Sequence, residues 1–171
     1  PSGLAFIEGG VAESFLAWDG ELETAVVERG PSVIAIDAPL GFPSRGAMRE
    51  VDRALLRMGF RVLPPTWRGM SALTSKAVSL ARYLASAVPG ALVVETHPTS
   101  ALKSSRCGSV EGLLTALGIS PRRPLSGVSR DEADAIVAAA VAAAVAAGLD
   151  LEVPAPDGAV HLLRPLCAAG D

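Results

Sequence analysis

Two acidic residues each follow a short apolar segment that predicts a β-strand. Carboxylates at the ends of strands commonly take part in catalysis or metal binding. Asp37 follows the run Val33–Ile36 (VIAI), and Glu95 follows a similar run that begins at Ala91 (ALVV). A carboxylate at the end of a buried strand is costly to desolvate unless it is paired, hydrogen-bonded or facing a cation. Adjacent strands lie about 4.8 Å apart, so neighbouring strands would hold the two carboxylates together. Close carboxylates repel each other, and a divalent cation relieves that repulsion, so the pattern indicates a metal site.

A second group of acids opens the alanine-rich segment late in the chain. Ser129 and Glu132 have the spacing of a capping box, which predicts a helix that starts here. Asp131 and Asp134 then share one face of the first turns. One interpretation is that these acids only complement the helix dipole. Asp134 favours a second interpretation, in which these acids belong to a metal site, because it precedes an apolar stretch and should be partly buried against the sheet. Such oxygen ligands suit Mg²⁺ or Mn²⁺ rather than zinc.

The two histidines and two cysteines offer weaker signals. His97 follows the second apolar run, where a neutral imidazole would hydrogen-bond Glu95 or a phosphate, or make a structural hydrogen bond. His161 is predicted to lie at the surface. Cys107 and Cys167 lack the spacing of metal ligands and are interpreted as ordinary thiols, although a heat-adapted source would permit a bridge between them.

Arginines recur at every fourth position after the first apolar run. The stripe consists of Arg45, Arg49, Arg53, Arg57 and Arg61. It is typical of a solvated helix face with Glu50 and Asp52 as partial partners, and a sharper hypothesis makes it a surface that binds nucleic-acid phosphates. Arg68 belongs to the same hypothesis, since it follows Trp67 in a Pro-Pro loop that could cover a cleft.

The elements that must position these residues alternate between strands and helices. Gly3–Ile7 and Val11–Trp18 are predicted to form a hairpin, Glu21–Arg29 a helix, and Val33–Ile36 a strand buried on both faces. Helices are expected with Met48, Val51, Leu55 and Met58 inward, and again from Ser71. Further segments predict a strand at Ala91–Glu95, a short helix at Val110–Leu117 and a last strand or extended tail at Val160–Leu163. The alanine face of the late helix permits tight packing or a dimer contact.

Composition restricts the class of protein. With 171 residues, of which 50% are hydrophobic and 19% charged, the chain is predicted to form one globular domain spanning residues 1–171. No apolar run reaches the roughly 18 residues of a membrane span, and no signal peptide is recognisable, so no membrane partner and a cytoplasmic location are expected. The net charge of −3 argues against tight non-specific nucleic-acid binding. The absence of Asn and Gln suggests a thermophilic source.

Four segments together resemble a known family. They are SGLAFIEGG, IDAPLGFP with its following arginines, VETHPTSAL and DEADAIVAAAVAA, and they cover nearly the whole chain. This succession is similar to the DUF429 group of predicted nucleases, which have a ribonuclease H-like fold related to that of a Holliday-junction resolvase. The resemblance implies an α/β domain with a mixed five-stranded sheet of order 3-2-1-4-5, flanked by helices.

The resemblance also implies site residues. Asp37 matches the acid of strand 4, Asp134 matches the helix acid with Asp131 as its neighbour, and Glu95 with His97 matches the acid–His-Pro segment. In the family, a first strand carrying a Gly-apolar-Asp pattern precedes the SGLA segment. The 171 residues open without it, so either that central strand lies in residues outside them or the protein has lost one metal ligand. We expect the first, since loss of the strand would leave two edges unpaired in the core.

The resulting hypothesis is a divalent-metal-dependent nuclease that hydrolyses phosphodiester bonds with Mg²⁺ or Mn²⁺. Its catalytic residues would be Asp37, Glu95, His97 and Asp134, its metal ligands Asp37, Asp131 and Asp134, and its nucleic-acid contacts Arg45, Arg49, Arg53, Arg57 and Arg68. The alternative is an inactive ribonuclease H-like scaffold that binds a partner or nucleic acid. An ATP-binding relative is disfavoured because no Gly-rich phosphate loop is visible. The last expectation is that Asp37 and Asp134 meet in space.

Overall fold

Strands and helices alternate along the chain in the computed structural model, which describes residues 1–168. The strands are β1 (Ser2–Glu8), β2 (Val11–Ala17), β3 (Val33–Asp37), β4 (Leu92–Thr96), β5 (Ser120–Pro121), β6 (Asp150–Ala155) and β7 (Gly158–Leu163). The helices are α1 (Asp19–Arg29), α2 (Glu50–Arg57), α3 (Arg68–Ala87), α4 (Pro98–Ser105), α5 (Val110–Leu117) and α6 (Arg130–Ala146). A 3₁₀ turn at Leu125–Gly127 precedes α6. The prediction of an α/β fold is confirmed.

The strands form two mixed sheets. The first has the order β1-β2-β5, with β1 and β2 antiparallel and β5 parallel to β2. The second has the order β3-β4-β7-β6, in which only the outer pair β6–β7 is antiparallel. The expected single five-stranded sheet of order 3-2-1-4-5 is not formed by the described residues. β1 and β3 are instead the edges of separate sheets.

Helix α6 packs across both sheets and carries much of the core. Its residues Ile136, Val137, Ala140 and Val141 are buried. The approach of β1 is so close that a Cβ on Gly3 would lie 2.0 Å from the backbone oxygen of Asp131, so only glycine fits there. The helix starts as predicted, because the Ser129 hydroxyl accepts from the Glu132 backbone N–H and the Glu132 carboxylate accepts from Ser129 N.

Turn residues fix the early elements where the sequence predicts them. Gly9 and Gly10 adopt positive φ between β1 and β2, which confirms the hairpin. Gly30, with φ of 56°, ends α1 just before β3. The expectation that β3 is buried on both faces is only partly met, because Ile34 is buried whereas its neighbours are half-buried. No helix among residues 1–168 has the length and apolar character needed to span a membrane.

Other boundaries and environments differ from the predictions. The helix around Val51 and Leu55 spans only Glu50–Arg57, so Met48 precedes it and Met58 is 48% exposed. Helix α3 begins at Arg68 rather than Ser71. Strand β6 was not predicted, because its alternating acids and its proline give a weak strand signal.

Two side-chain predictions are also wrong. Cys107 and Cys167 form a disulfide rather than remaining thiols, since the folded chain brings their Cα atoms within 5.0 Å although 60 positions separate them. His161 is partly buried in β7 instead of lying at the surface, and its Nδ1 lies 2.7 Å from an Asp150 carboxylate oxygen.

Candidate functional site

Asp37 and Asp134 meet at one end of a cleft between the two sheets. Asp37 is the last residue of β3, and Asp134 lies in the second turn of α6. Both line a cleft of about 950 Å³, together with Asp131. The sequence prediction that the strand-end acid and the helix acid approach each other is therefore supported by their shared position. Helix α6 makes this possible, because its alanine-rich face allows it to lie close to the sheet.

The charge of Asp134 affects the protonation of Asp37. Asp37 is exposed at the end of the cleft, but the protein around its carboxyl group desolvates it in part, and this effect, together with the charge of Asp134, raises the pKa of Asp37 to about 6. Burial also raises the pKa of Asp134, with Asp131 adding to the effect while Arg130 and His97 oppose it. With a pKa of about 6, Asp37 is mostly ionised at pH 7 and places negative charge close to Asp134, an arrangement that attracts cations.

His97 lies within electrostatic reach of the acid pair. It caps the amino end of α4, and its Nδ1 is 2.5 Å from the Ser100 hydroxyl oxygen. Burial lowers the pKa of His97, and the opposing attraction of Asp134 is smaller. The imidazole is therefore neutral at pH 7. A neutral histidine beside a carboxylate can accept or donate a proton, which suits general acid–base chemistry.

Glu95 does not share a site with Asp37, contrary to the first expectation from the sequence. Strands β3 and β4 are neighbours, but their register pairs Ile36 with Glu95 and Asp37 with Thr96. Because successive side chains of a strand point to opposite faces, Glu95 lies on the face opposite to Asp37. Glu95 is buried there, and one of its oxygens accepts a hydrogen bond of 2.8 Å from the Leu40 N–H.

The partner of Glu95 is Arg49, which the sequence placed in the nucleic-acid-binding stripe. The Arg49 guanidinium makes two hydrogen bonds to Glu95, of 2.8 and 2.7 Å, and two to Asp52, of 3.0 and 2.7 Å. The Arg49 residue is 2% exposed. Burial disfavours the charged guanidinium, yet the bonds to both acids raise the pKa of Arg49 above its ordinary value. Its donors are occupied inside the protein, so it does not present them to phosphates.

The remaining arginines do not form one continuous helical stripe. Arg45 and Arg61 lie outside α2, because Gly46 and Gly59 adopt positive φ on either side of it. The side chains of the proposed phosphate-binding arginines other than Arg49 are exposed, namely those of Arg45, Arg53, Arg57 and Arg68. Arg53 also pairs with Glu50 on the same helix, which matches the solvated-face interpretation for that residue.

Two loops that contact each other carry exposed aromatic and basic residues. Phe42 and Arg45 follow β3, and Trp67 precedes Arg68 at the start of α3. The Thr66 hydroxyl donates a 3.0 Å hydrogen bond to the Ala47 carbonyl, which joins the two loops. Phe42 is 44% exposed and Trp67 56%. Phe42 and Arg45 follow Asp37 within the loop that leaves β3, and the Thr66 hydrogen bond brings the loop of Trp67 to it. We call the surface made of Phe42, Arg45, Trp67 and Arg68 the aromatic–basic rim.

A metal centre built from protein ligands alone is not present among residues 1–168. No three Asp, Glu, His or Cys side chains in this part of the chain come close enough to hold an ion together. The expected set of Asp37, Asp131 and Asp134 shares the cleft without forming such a group. Asp37 and Asp134 remain a pair of hard oxygen donors, and Mg²⁺ is often bound by one or two carboxylates plus waters and substrate phosphates.

Sequence reasoning missed the cleft itself. Its floor is an alanine face of α6 made of Ala135, Ala138, Ala139, Ala142, Ala143 and Ala146. The helical spacing of these alanines was visible in the sequence, but it indicated close packing rather than an open space. Comparison with protein-family models, with curated proteins and with solved structures finds no significant match to this chain.

Proposed function

We propose that this chain is a divalent-metal-dependent nuclease that hydrolyses phosphodiester bonds. The observation that carries the proposal is the meeting of Asp37 and Asp134 in one cleft, with the pKa of Asp37 raised to about 6 and that of Asp134 raised as well. A pair of like-charged, partly desolvated carboxylates is unfavourable by itself. A cation between them would relieve the repulsion, so the arrangement fits a cation-binding role better than a structural one.

The donor set suits Mg²⁺ or Mn²⁺. Asp37 and Asp134 would hold the ion, with waters and substrate phosphate oxygens completing its shell, since two carboxylates are enough for these metals. Asp131, exposed at the same end of the cleft, would add negative charge. When bound, such an ion activates water and stabilises charge on the phosphate. No zinc site is proposed, because the donors are carboxylate oxygens and the two cysteines are joined in a disulfide.

His97 would move a proton in this reaction. Its Nδ1 is engaged with Ser100, which fixes the ring and leaves Nε2 for proton exchange. Because burial lowers the pKa of His97, the ring is neutral at pH 7 and can accept a proton. Glu95, which the sequence placed among the catalytic residues, acts as a positioning residue instead. It holds Leu40, three residues after Asp37, in the loop that leaves β3.

The aromatic–basic rim would bind the nucleic acid. Arginine side chains contact phosphates, and exposed aromatic rings stack on unpaired bases at about 1–3 kcal/mol per base. Phe42 and Trp67 are exposed beside Arg45 and Arg68 on two loops that are hydrogen-bonded together. A chain with a net charge of −3 needs such a local basic surface to approach a polyanion. The substrate favoured by this rim is single-stranded.

The test is cleavage of labelled single-stranded DNA, duplex DNA and RNA with Mn²⁺, Mg²⁺ or chelator. We expect metal-dependent cleavage by the natural chain and its loss in Asp37→Asn and Asp134→Asn, both of which should keep or raise the melting temperature without metal. The matched control is Glu28→Gln, which neutralises an exposed acid on α1. Metal should raise the melting temperature of the control and leave that of the two Asp variants unchanged.

A scaffold without catalytic activity is the second candidate. It is favoured by the lack of a third metal-binding side chain beside Asp37 and Asp134 within residues 1–168. On this alternative the rim binds nucleic acid, but neither Mg²⁺ nor Mn²⁺ changes the melting temperature and no substrate is cleaved. Two results together would replace the nuclease proposal with this one. The natural chain binds nucleic acid in the presence of chelator and loses that binding when Arg45 and Arg68 are changed to Glu, and it cleaves no substrate in Mn²⁺.

A further inference from the structure

The two sheets present unpaired edges to the same cleft. β1 is the edge of the three-stranded sheet and β3 is the edge of the four-stranded sheet. Every residue of both strands lines the cleft of about 950 Å³. The alanine face of α6 forms its floor, and α1 and α3 contribute apolar side chains such as Val26 and Leu84. The two edges therefore border the same space, which apolar side chains line between the charged residues at its ends.

Apart from the acid at its last position, Glu8 in β1 and Asp37 in β3, neither of these edges carries the features that protect natural sheet edges. Exposed edge strands are usually blunted by charges, prolines or bulges, which prevent further pairing. Gly3–Ile7 and Val33–Ile36 contain no charged residue and no proline. The outer edge of the second sheet differs sharply, because β6 carries Asp150, Glu152 and Pro154. The outer edge is protected against pairing, whereas the two inner edges are suited to it.

The direction of a strand that would fill the cleft follows from the ends of its neighbours. Gly3, near the start of β1, packs on Asp131 at the start of α6. Asp37, at the end of β3, lies within electrostatic reach of Asp134 in the same part of α6. β1 therefore begins where β3 ends, and Pro1 lies at that end of the cleft. A strand that runs parallel to β3 and antiparallel to β1 would finish next to Pro1.

We propose that the segment leading into Pro1 forms a β-strand in this cleft, pairs with β1 and β3, and joins the two sheets into one. A tight hairpin turn into β1 costs little loop-closure entropy, which favours this segment over a strand from another molecule. The strand needs five to seven residues, the lengths of β3 and β1. It should be apolar on both faces, because α6 lies on one side of the sheet while α1 and α3 pack with Ile34 on the other.

The first experiment compares residues 1–171 with the chain that also carries the residues preceding Pro1 in its reading frame. Amide hydrogen exchange is measured at Leu4–Phe6 and Ile34–Ile36. In the longer form, alternate amides of both strands should exchange on the order of 100-fold more slowly, because they now donate to the added strand. Equal exchange in the two forms, or a reading frame with fewer than five residues before Pro1, overturns the proposal.

The second experiment supplies a strand of known sequence. The five residues of β3 (VIAID) followed by two glycines are fused before Pro1, and the matched control replaces the five by Ser-Gly-Ser-Gly-Ser. The fused strand should protect both edges and the control neither. The free peptide VIAID is the arm for a strand supplied by another molecule. Protection by the free peptide at micromolar concentration, without protection by the fused strand, overturns the assignment to this chain.

A third experiment fills the cleft from its floor. Ala142 lines the cleft, whereas Ala85 is exposed on α3 away from it. Ala142→Phe should abolish the protection that the added strand gives, and Ala85→Phe should leave it unchanged. Because a side chain at Ala142 fills empty space in the shorter form, that form still folds. Protection that survives Ala142→Phe would place the added residues elsewhere. None of these measurements uses metal or cleavage, so the outcome is independent of the proposed nuclease activity.

Discussion

Replacing Glu95 by Gln should destabilise the protein far more than the same change at an exposed ion pair. The side chains of Arg49 and Asp52 are 2% and 3% exposed, and that of Glu95 is 10% exposed. Gln removes the negative charge and turns an amide N–H₂ toward the guanidinium or toward Leu40 N–H, so at least one buried hydrogen bond is lost. Removing one partner of a buried pair costs about 3–5 kcal/mol, and we expect about 3 kcal/mol because Asp52 still pairs with Arg49.

The magnitude is readily measured. For a chain of this size, each kcal/mol shifts the melting temperature by about 2–4 °C, so Glu95→Gln should melt roughly 6–12 °C lower. Arg49→Met should cost more, about 5 kcal/mol, because it leaves two buried carboxylates without a cation. The assay is urea unfolding at pH 7 followed by circular dichroism. The matched control is Glu50→Gln, which breaks the exposed pair with Arg53 and should cost under about 1 kcal/mol.

The double variant Arg49→Met, Glu95→Gln separates structure from catalysis. If the two side chains stabilise each other, its loss of stability is smaller than the sum of the single losses, and the difference measures their coupling. If the free energy of unfolding of Glu95→Gln lies within about 1 kcal/mol of that of the natural chain and the variant has no nuclease activity, the structural role is refuted. Glu95 would then return to the catalytic residues.

Three further outcomes follow from the site and the disulfide. Because the pKa of Asp37 is raised to about 6, this carboxyl should destabilise the natural chain progressively as the pH rises from 3.8 to 6, and urea unfolding should show Asp37→Asn to be the more stable form at pH 7 but not at pH 3.5. His97→Ala should reduce cleavage by about 10²–10⁴-fold with little change in melting temperature, and an equal fall in both would point to a structural role. Replacing Cys107 and Cys167 together by Ser should cost about 4 kcal/mol in urea unfolding, as expected for a closed loop of about 60 residues, whereas a loss under about 1 kcal/mol would contradict the entropic argument.

The sequence predicted neighbouring strands at β3 and β4 but not the relation between their acids. Both runs are apolar at every position, as expected for strands of a parallel sheet, so their hydrophobic pattern does not specify a register. The structure pairs Val33 with Leu92, which offsets the two acids by one residue. One residue is enough to place Glu95 on the opposite face from Asp37. The same apolar pattern that revealed the strands therefore concealed which acids face each other.

Long-range relations were predictable only where a local pattern constrained them. Asp134 stood out because it follows a capping box and precedes an apolar helix face, and both features depend on nearby residues. The disulfide and the partner of Arg49 depend on how separate elements pack. A repeat of arginines every fourth residue suggested a helix face, but Gly46 and Gly59 limit the helix to Glu50–Arg57. Arg49 thus became the residue that caps α2, with a buried side chain.

The empty cleft and the acid pair are physically linked. Asp37 ends β3 at the same end of the cleft where a strand leading into Pro1 would finish, so that strand would displace water beside Asp37 and Asp134. Further desolvation raises the pKa of a carboxyl group. In the longer form without metal, Asp37 should therefore titrate above its value of about 6 in residues 1–171, as carboxyl NMR would show. A cation would reverse this shift, because its charge favours the ionised pair. If the added strand raises the pKa of Asp37 and neither Mn²⁺ nor Mg²⁺ reverses that increase, the result supports the completed sheet and contradicts the metal site. The two proposals can therefore fail separately.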